Sequence, residues 1–243
     1  MKIKLFVLVL CVVFLSGCAS FVRRSPNFPT RIQSTKTIAV MPADITIYQI
    51  NVGGVREIID EWSLKAKELI NQSLEANLTN QFQFKIKFIS EAKLKNDYTE
   101  IWDAQRSLYE AVSISAYLHT FAPMEIFPEK LKVFDYTMGP EIKELAELCQ
   151  ADALLFVFGF DNEATAGRQV SVFFNLLLQA AVGGTAYYVP DPNLLVLGLV
   201  DGKTGDLLWF KALPSEANYD FRNPKHVDLM IKWFLKDFYG KNE

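Results

Sequence analysis

Leu194-Leu-Val-Leu-Gly-Leu-Val200, Asp201-Gly-Lys-Thr-Gly-Asp206 and Leu207-Leu-Trp-Phe-Lys-Ala-Leu213 follow one another without interruption. The first run is apolar throughout, which predicts a strand buried on both faces. The second holds two glycines among Asp, Lys and Thr, the composition of a turn. The third returns as an apolar run with Trp209 inside it, so the three together predict a buried β-hairpin. Residues 198–204 look like a phosphate loop, but the spacing is one residue short of the motif. They also lead into a strand, where a phosphate loop leads into a helix whose N-terminus binds the anion. The turn reading is therefore preferred.

Upstream of the hairpin, Ala153-Leu-Leu-Phe-Val-Phe-Gly-Phe160 is a second continuous apolar run and predicts a central strand. Gly139-Pro140 opens a helix ending near Cys149. Asp97-x-x-Glu100 has the form of a capping box for a helix running to about His119, with Ile101, Ala104, Leu108, Val112 and Ala116 on its apolar face. Between 81 and 89, Phe82, Phe84, Ile86 and Phe88 alternate with Gln83, Lys85 and Lys87. That pattern predicts a half-buried strand near a sheet edge. Trp62, Ala66, Leu69, Ile70 and Leu74 mark another helix, and Thr37-Ile-Ala-Val-Met41 a first strand stopped by Pro42. Residues 43–54 read as a loop and 121–137 as an irregular insert. Asn223-Pro224 starts a final helix with Leu229, Trp233 and the Val227, Met230, Ile231 group on its apolar side. The expected fold is α/β, a single domain over 36–243 with a mixed sheet of about five strands flanked by helices.

The segment 170–182 is almost wholly apolar. Its polar residues Ser171, Asn175 and Gln179 recur every four positions, one narrow stripe on a helix. At about 20 Å such a helix is too short to span a bilayer. Core burial, a partner or self-association surface, and insertion at the lipid interface all remain open for it. An interaction surface there would draw on Val172, Phe173, Leu176 and Leu177, with Tyr187 and Tyr188 beside it.

The N-terminus is the most specific stretch. Lys2 and Lys4 precede eleven apolar residues, Leu5 to Leu15, the length of a signal-peptide core. Leu15-Ser16-Gly17-Cys18 then resembles the bacterial lipobox. That resemblance implies removal of 1–17, diacylglycerol in thioether linkage on Cys18, further palmitate-type acylation, and a lipidated tether over 18–35. Ala19 stands where an aspartate would signal retention in the inner membrane, which implies the outer membrane, with the domain facing the periplasm. Cys11 leaves with the signal and Cys18 is acylated. Cys149 alone remains, so no intramolecular disulfide is expected. It reads as a buried, inert thiol.

The chain has 243 residues, half of them hydrophobic, and a net charge of −3; without Lys2 and Lys4 the mature charge is −5. This composition excludes disorder as the main state and argues against nucleic acid as a partner. No cofactor and no metal site are expected, because His119 and His226 are the only histidines and lie far from each other and from Cys149. Neither lies in a recognisable nucleophile–base pattern. Asp60-Glu61 reads as solvated helix-start charge.

Three stretches together resemble the TolB N-terminal α/β domain: Ile38-Ala-Val-Met-Pro42, Ala151-Asp-Ala-Leu-Leu155, and the Asp201…Thr204-Gly-Asp-Leu-Leu-Trp209 hairpin. That domain recurs in periplasmic lipoproteins, including the curli-secretion channel subunit CsgG and the peptidoglycan-synthase activator LpoB. The resemblance implies a non-enzymatic lipoprotein acting as a protein–protein scaffold, or as an assembly or regulatory factor for an envelope machine. An oligomeric export-channel component is the first alternative and a periplasmic hydrolase the second. The partner is unspecified, a homo-oligomer included.

Overall fold

A computed structural model describes residues 22–79, 84–121, 127–166, 168–169, 193–213 and 219–238. In chain order the elements are β1 (Val22–Arg24), α1 (Phe28–Ser34), β2 (Thr37–Val40), β3 (Asp44–Ile50), β4 (Arg56–Ile58) and α2 (Asp60–Leu78). They continue with β5 (Lys85–Phe88), α3 (Glu91–Asp97), α4 (Thr99–Thr120), α5 (Pro128–Lys132), α6 (Ile142–Cys149), β6 (Ala153–Ala164), β7 (Leu194–Asp201), β8 (Leu207–Ala212) and α7 (Pro224–Lys236).

Strand β6 organises the sheet. On one flank it pairs antiparallel with β7, from Ala153 opposite Asp201 to Phe160 opposite Leu194. On the other flank it serves two strands in succession, both parallel. Ala153–Leu155 face Ile38–Val40 of β2, and Phe158–Ala164 face Asp44–Ile50 of β3. Pro42, which has no N–H to donate, lies in the gap between β2 and β3. The sheet runs β1-β8-β7-β6-β2-β5, with β4 added to β3.

Alternate residues enter two cores, as the period of a strand requires. On one face Ile38, Ile45, Leu155 and Leu197 meet Ala66, Ile70 and Leu74 of α2 and Met230, Ile231 and Phe234 of α7. On the other, Leu154, Phe156, Val196 and Phe210 meet Trp102 and Tyr109 of α4 and Ile142 and Leu145 of α6. Tyr109 stacks on Phe156 with ring centroids 4.7 Å apart. It has room because position 198 is a glycine: a Cβ there would stand 2.6 Å from the tyrosine oxygen. A register shift between β7 and β8 at Leu199/Val200 adds a residue to β8, and Leu208 and Trp209 both join the α2/α7 core. The result is the expected single α/β domain, with helices on both faces of a mixed sheet.

Four expectations are corrected. The sheet has eight strands among the described residues, not about five, because residues 43–54 hold β3 and the turn into β4 where a loop was expected. The tether expected over 18–35 is drawn into the fold over much of its length. Val22–Arg24 pair with Trp209–Lys211 of β8, whose open edge offers unpaired backbone groups. Phe28–Ser34 form α1, with proline in its first turn. The capping box at Asp97 and Glu100 does not form: Asp97 ends α3, and Ser90 instead caps that helix by accepting the amide of Lys93. Leu229, assigned to the apolar side of the last helix, is exposed.

Lys211 is unusual in being only 1% exposed. Its ammonium donates to the Trp233 carbonyl and to Asp237, and lies 3.7 Å from the centre of the Trp233 ring. Burial pushes its pKa below the ordinary lysine value, against the pull of Asp237. Between the lowered and the ordinary value the unfolded chain binds more protons, so stability rises with pH across that alkaline window. Lys211→Met is expected to leave stability at neutral pH unchanged or raised by about 1 kcal/mol, since Asp237 is half exposed and can turn to water. It should also abolish the alkaline rise. A denaturant titration at several pH values checks both, and a loss above about 1 kcal/mol would show the pair to be net stabilising.

Candidate functional site

A cluster of ionisable groups gathers at the C-terminal end of β6 and the approach to α7. Asp161, on β6, is buried and accepts the amides of Asn162 at 2.9 Å and Phe221 at 3.3 Å. Desolvation raises its pKa in spite of these bonds. Glu163, two residues on, is also raised by desolvation, with Arg222 opposing. Asp220 behaves differently: burial pushes it up, but the guanidinium and backbone amide of Arg222 outweigh burial and hold it low. Arg222 also meets Glu163 at 3.0 Å and lies over the Trp62 ring at 4.4 Å.

Oxygens of Asp161, Glu163 and Asp220 come within 4.8 Å of one another, close enough to share a cation. Here Arg222 supplies that positive charge. One guanidinium against three carboxyl groups makes a partly compensated junction that ties β6 to the entry of α7, with Asn223 capping the helix by accepting the Lys225 amide.

The two histidines are engaged elsewhere. His226 accepts the backbone amide of Asp220 at Nδ1, 3.1 Å, which leaves its proton on Nε2 when neutral. His119 meets the Tyr136 hydroxyl at 2.8 Å and takes Phe127 edge-on. Cys149 is buried, and burial pushes its thiol up. Lys87 spends its ammonium on the carbonyls of Cys149 and Gln150, satisfying the end of α6. The phosphate-loop lookalike is closed on itself, because the Asp201 carboxylate takes the amides of Lys203 and Thr204 that an anion would need. Among the described residues neither histidine meets a serine or a cysteine in these contacts.

A different feature stands out at the surface. β3 and the end of β6 extend past Leu194, where β7 begins, and carry β4 with them. The turn is closed by Asn51, whose backbone accepts from Gly54 and whose side chain accepts from Val55. β4 is exposed along its length, and its outer edge has no strand partner among the described residues. Val52, Val55 and Ile58 are each more than half exposed, as is Leu64 in the helix that follows. The sequence carried a signal for this arm: Ile45 and Ile47 alternate with Thr46 and Tyr48, and Gly53-Gly54 follows. Cys18 and the proposed interaction residues Val172, Phe173, Leu176, Leu177, Tyr187 and Tyr188 lie outside the described residues.

No protein-family model matches the chain, and no curated protein matches it. Among solved structures it is similar to the PelC dodecamer from Paraburkholderia phytofirmans, at 9% identity and TM-score 0.35, over 91% of this chain and 98% of that one. It is similar to the LpoB C-terminal domain from Salmonella enterica at 10% identity and TM-score 0.28, over 78% and 93%. It is also similar to the lipoprotein GNA1162 from Neisseria meningitidis at 10% identity and TM-score 0.30, over 84% and 97%.

Proposed function

We propose that this chain is a lipoprotein, acylated on Cys18 and held in the outer membrane facing the periplasm, that works without catalysis as a docking module for a protein partner of the envelope. The lipobox at 15–18 supports the anchor. The observation that carries the docking role is the β3–β4 arm. Exposed apolar side chains beside a strand edge that is unpaired among the described residues suit a partner that adds a strand or covers the patch. The lipid confines the domain to the membrane surface and so raises its effective concentration at a membrane-bound partner.

The test is crosslinking in intact envelopes, followed by purification of the acylated protein in mild detergent. A stoichiometric partner is expected to co-purify, and to be lost from a Val55→Glu/Ile58→Glu double variant whose denaturation midpoint is unchanged. Both substitutions fall on exposed positions, where the cost to stability is within about 0.5 kcal/mol each. A partner retained by the variant would move docking to another face. A monomer with no partner would overturn the reading.

A further inference from the structure

The anchor and the fold are joined more closely than the sequence suggested. Val22 is already paired with Lys211 in the sheet. Only four peptide steps separate it from Cys18, so the two Cα atoms lie at most about 15 Å apart. Whatever surface surrounds β1 is therefore brought to the lipid headgroups.

That surface has a definite composition. Arg23, in the middle of β1, donates through its guanidinium to the carbonyls of Lys130 at 3.1 Å and Leu131 at 2.6 Å, which fixes α5 against the strand. Phe127, Leu131 and Val133, at and around α5, are 47%, 38% and 46% exposed. Phe127 and Leu131 are one helical turn apart, with the amide of Lys130 bonded to the Phe127 carbonyl. Phe127 is held edge-on by His119. The charges on this face are Arg23, Lys130 and Lys132 against Glu129 and Asp135, and Asp135 is paired with Lys130. Three large apolar side chains on a face whose charges sum to +1, next to a lipid attachment point, match the chemistry of a bilayer interface.

We propose that β1 and α5 form a membrane-contact face, with Phe127, Leu131 and Val133 entering the interface of an anionic bilayer and Arg23 and Lys132 meeting its phosphates. This rests on acylation at Cys18. It gives the anchored domain a fixed orientation: β1 and its β8 edge lie at the membrane, while β4 belongs to the opposite flank of β6.

The test uses the full acylated protein, reconstituted in vesicles of phosphatidylcholine and phosphatidylglycerol. An environment-sensitive fluorophore is placed at Leu131→Cys in one preparation and at Leu229→Cys in another. Leu229 is 56% exposed on α7, and the native Cys149 is buried. The expected result is blue-shifted emission at 131 that brominated lipids quench, with neither effect at 229. Quenching at 131 should weaken when phosphatidylglycerol is left out. Flotation with the vesicles is scored first. A protein that does not float fails on the anchor, whereas one that floats with 131 as solvated as 229 overturns the contact face. A probe at 131 that is solvated in vesicles but shielded in native membranes would assign the face to a protein and overturn it equally.

Discussion

Cys18→Ala is expected to abolish labelling with palmitate and to leave residues 1–17 attached, because lipoprotein-type cleavage before residue 18 requires the acylated thiol. Among the described residues no other part of the chain offers a substitute for the acylated anchor. Among the described residues no helix is long and apolar enough to cross a membrane. Cys149 cannot take over the acylation, since it is buried in the α6 core and burial disfavours its thiolate. With residues 1–17 removed as proposed, the body would carry a net charge of −5, which an anionic bilayer repels over its surface as a whole. On the β1–α5 face, three half-exposed side chains give only weak, reversible contact. By contrast, two or three acyl chains, each gaining about 0.8 kcal/mol per buried methylene, anchor firmly. Palmitate labelling with electrophoretic mobility reads both effects. A variant that still labels, or that still loses residues 1–17, would remove Cys18 from its proposed role.

Gly205→Ala should destabilise the domain by about 3–5 kcal/mol, a large share of what a domain of this size usually has. The residue sits at φ +78°, where a side chain costs about 1–2 kcal/mol. The larger part comes from crowding. A Cβ on Gly205 would fall 2.0 Å from the carbonyl oxygen of Gly139, which is itself at φ +79°. Two backbone segments cross here almost in contact, tied by the Met138 amide to the Gly205 carbonyl and the Leu207 amide to the Tyr136 carbonyl, each 2.9 Å. Making room means parting them, at about 1 kcal/mol for each bond lost. Lys203→Ala, exposed in the same turn, is the control and should stay within about 0.5 kcal/mol. Denaturant midpoints at constant slope decide the comparison. Equal midpoints for the two variants would mean that the crossing relaxes freely.

The parts of the fold legible in the sequence are those set by long apolar runs. The hairpin from 194 to 213 and the strand from Ala153 stand where their composition puts them, because a segment buried on both faces admits few polar residues. β1 was illegible, since Val-Arg-Arg has no period and its pairing is dictated by the open edge of β8. β3 was legible in its alternation but obscured by Pro42, which stops the β2 ladder without ending the sheet. Lys87 was readable as an edge-strand lysine, but its use at the end of α6 depends on a contact across the fold. The cluster of Asp161, Glu163, Asp220 and Arg222 joins positions some sixty residues apart. Only the packing of α7 onto the sheet brings them together.

The double duty of β6 also sets an order of events. β2 and β3 have their parallel partner about 115 residues later in the chain, and β1 has its partner later still, in β8. An exported chain emerges N-terminus first. Its first three strands must therefore wait, unpaired on their main edges, until the segment to Ala164 has crossed, and closure of the sheet waits for β8 at Ala212. Contacts of such long sequence separation form slowly. The anchor would be attached to a chain that is still largely unfolded, and the β1 strand nearest the lipid would be among the last to find its place.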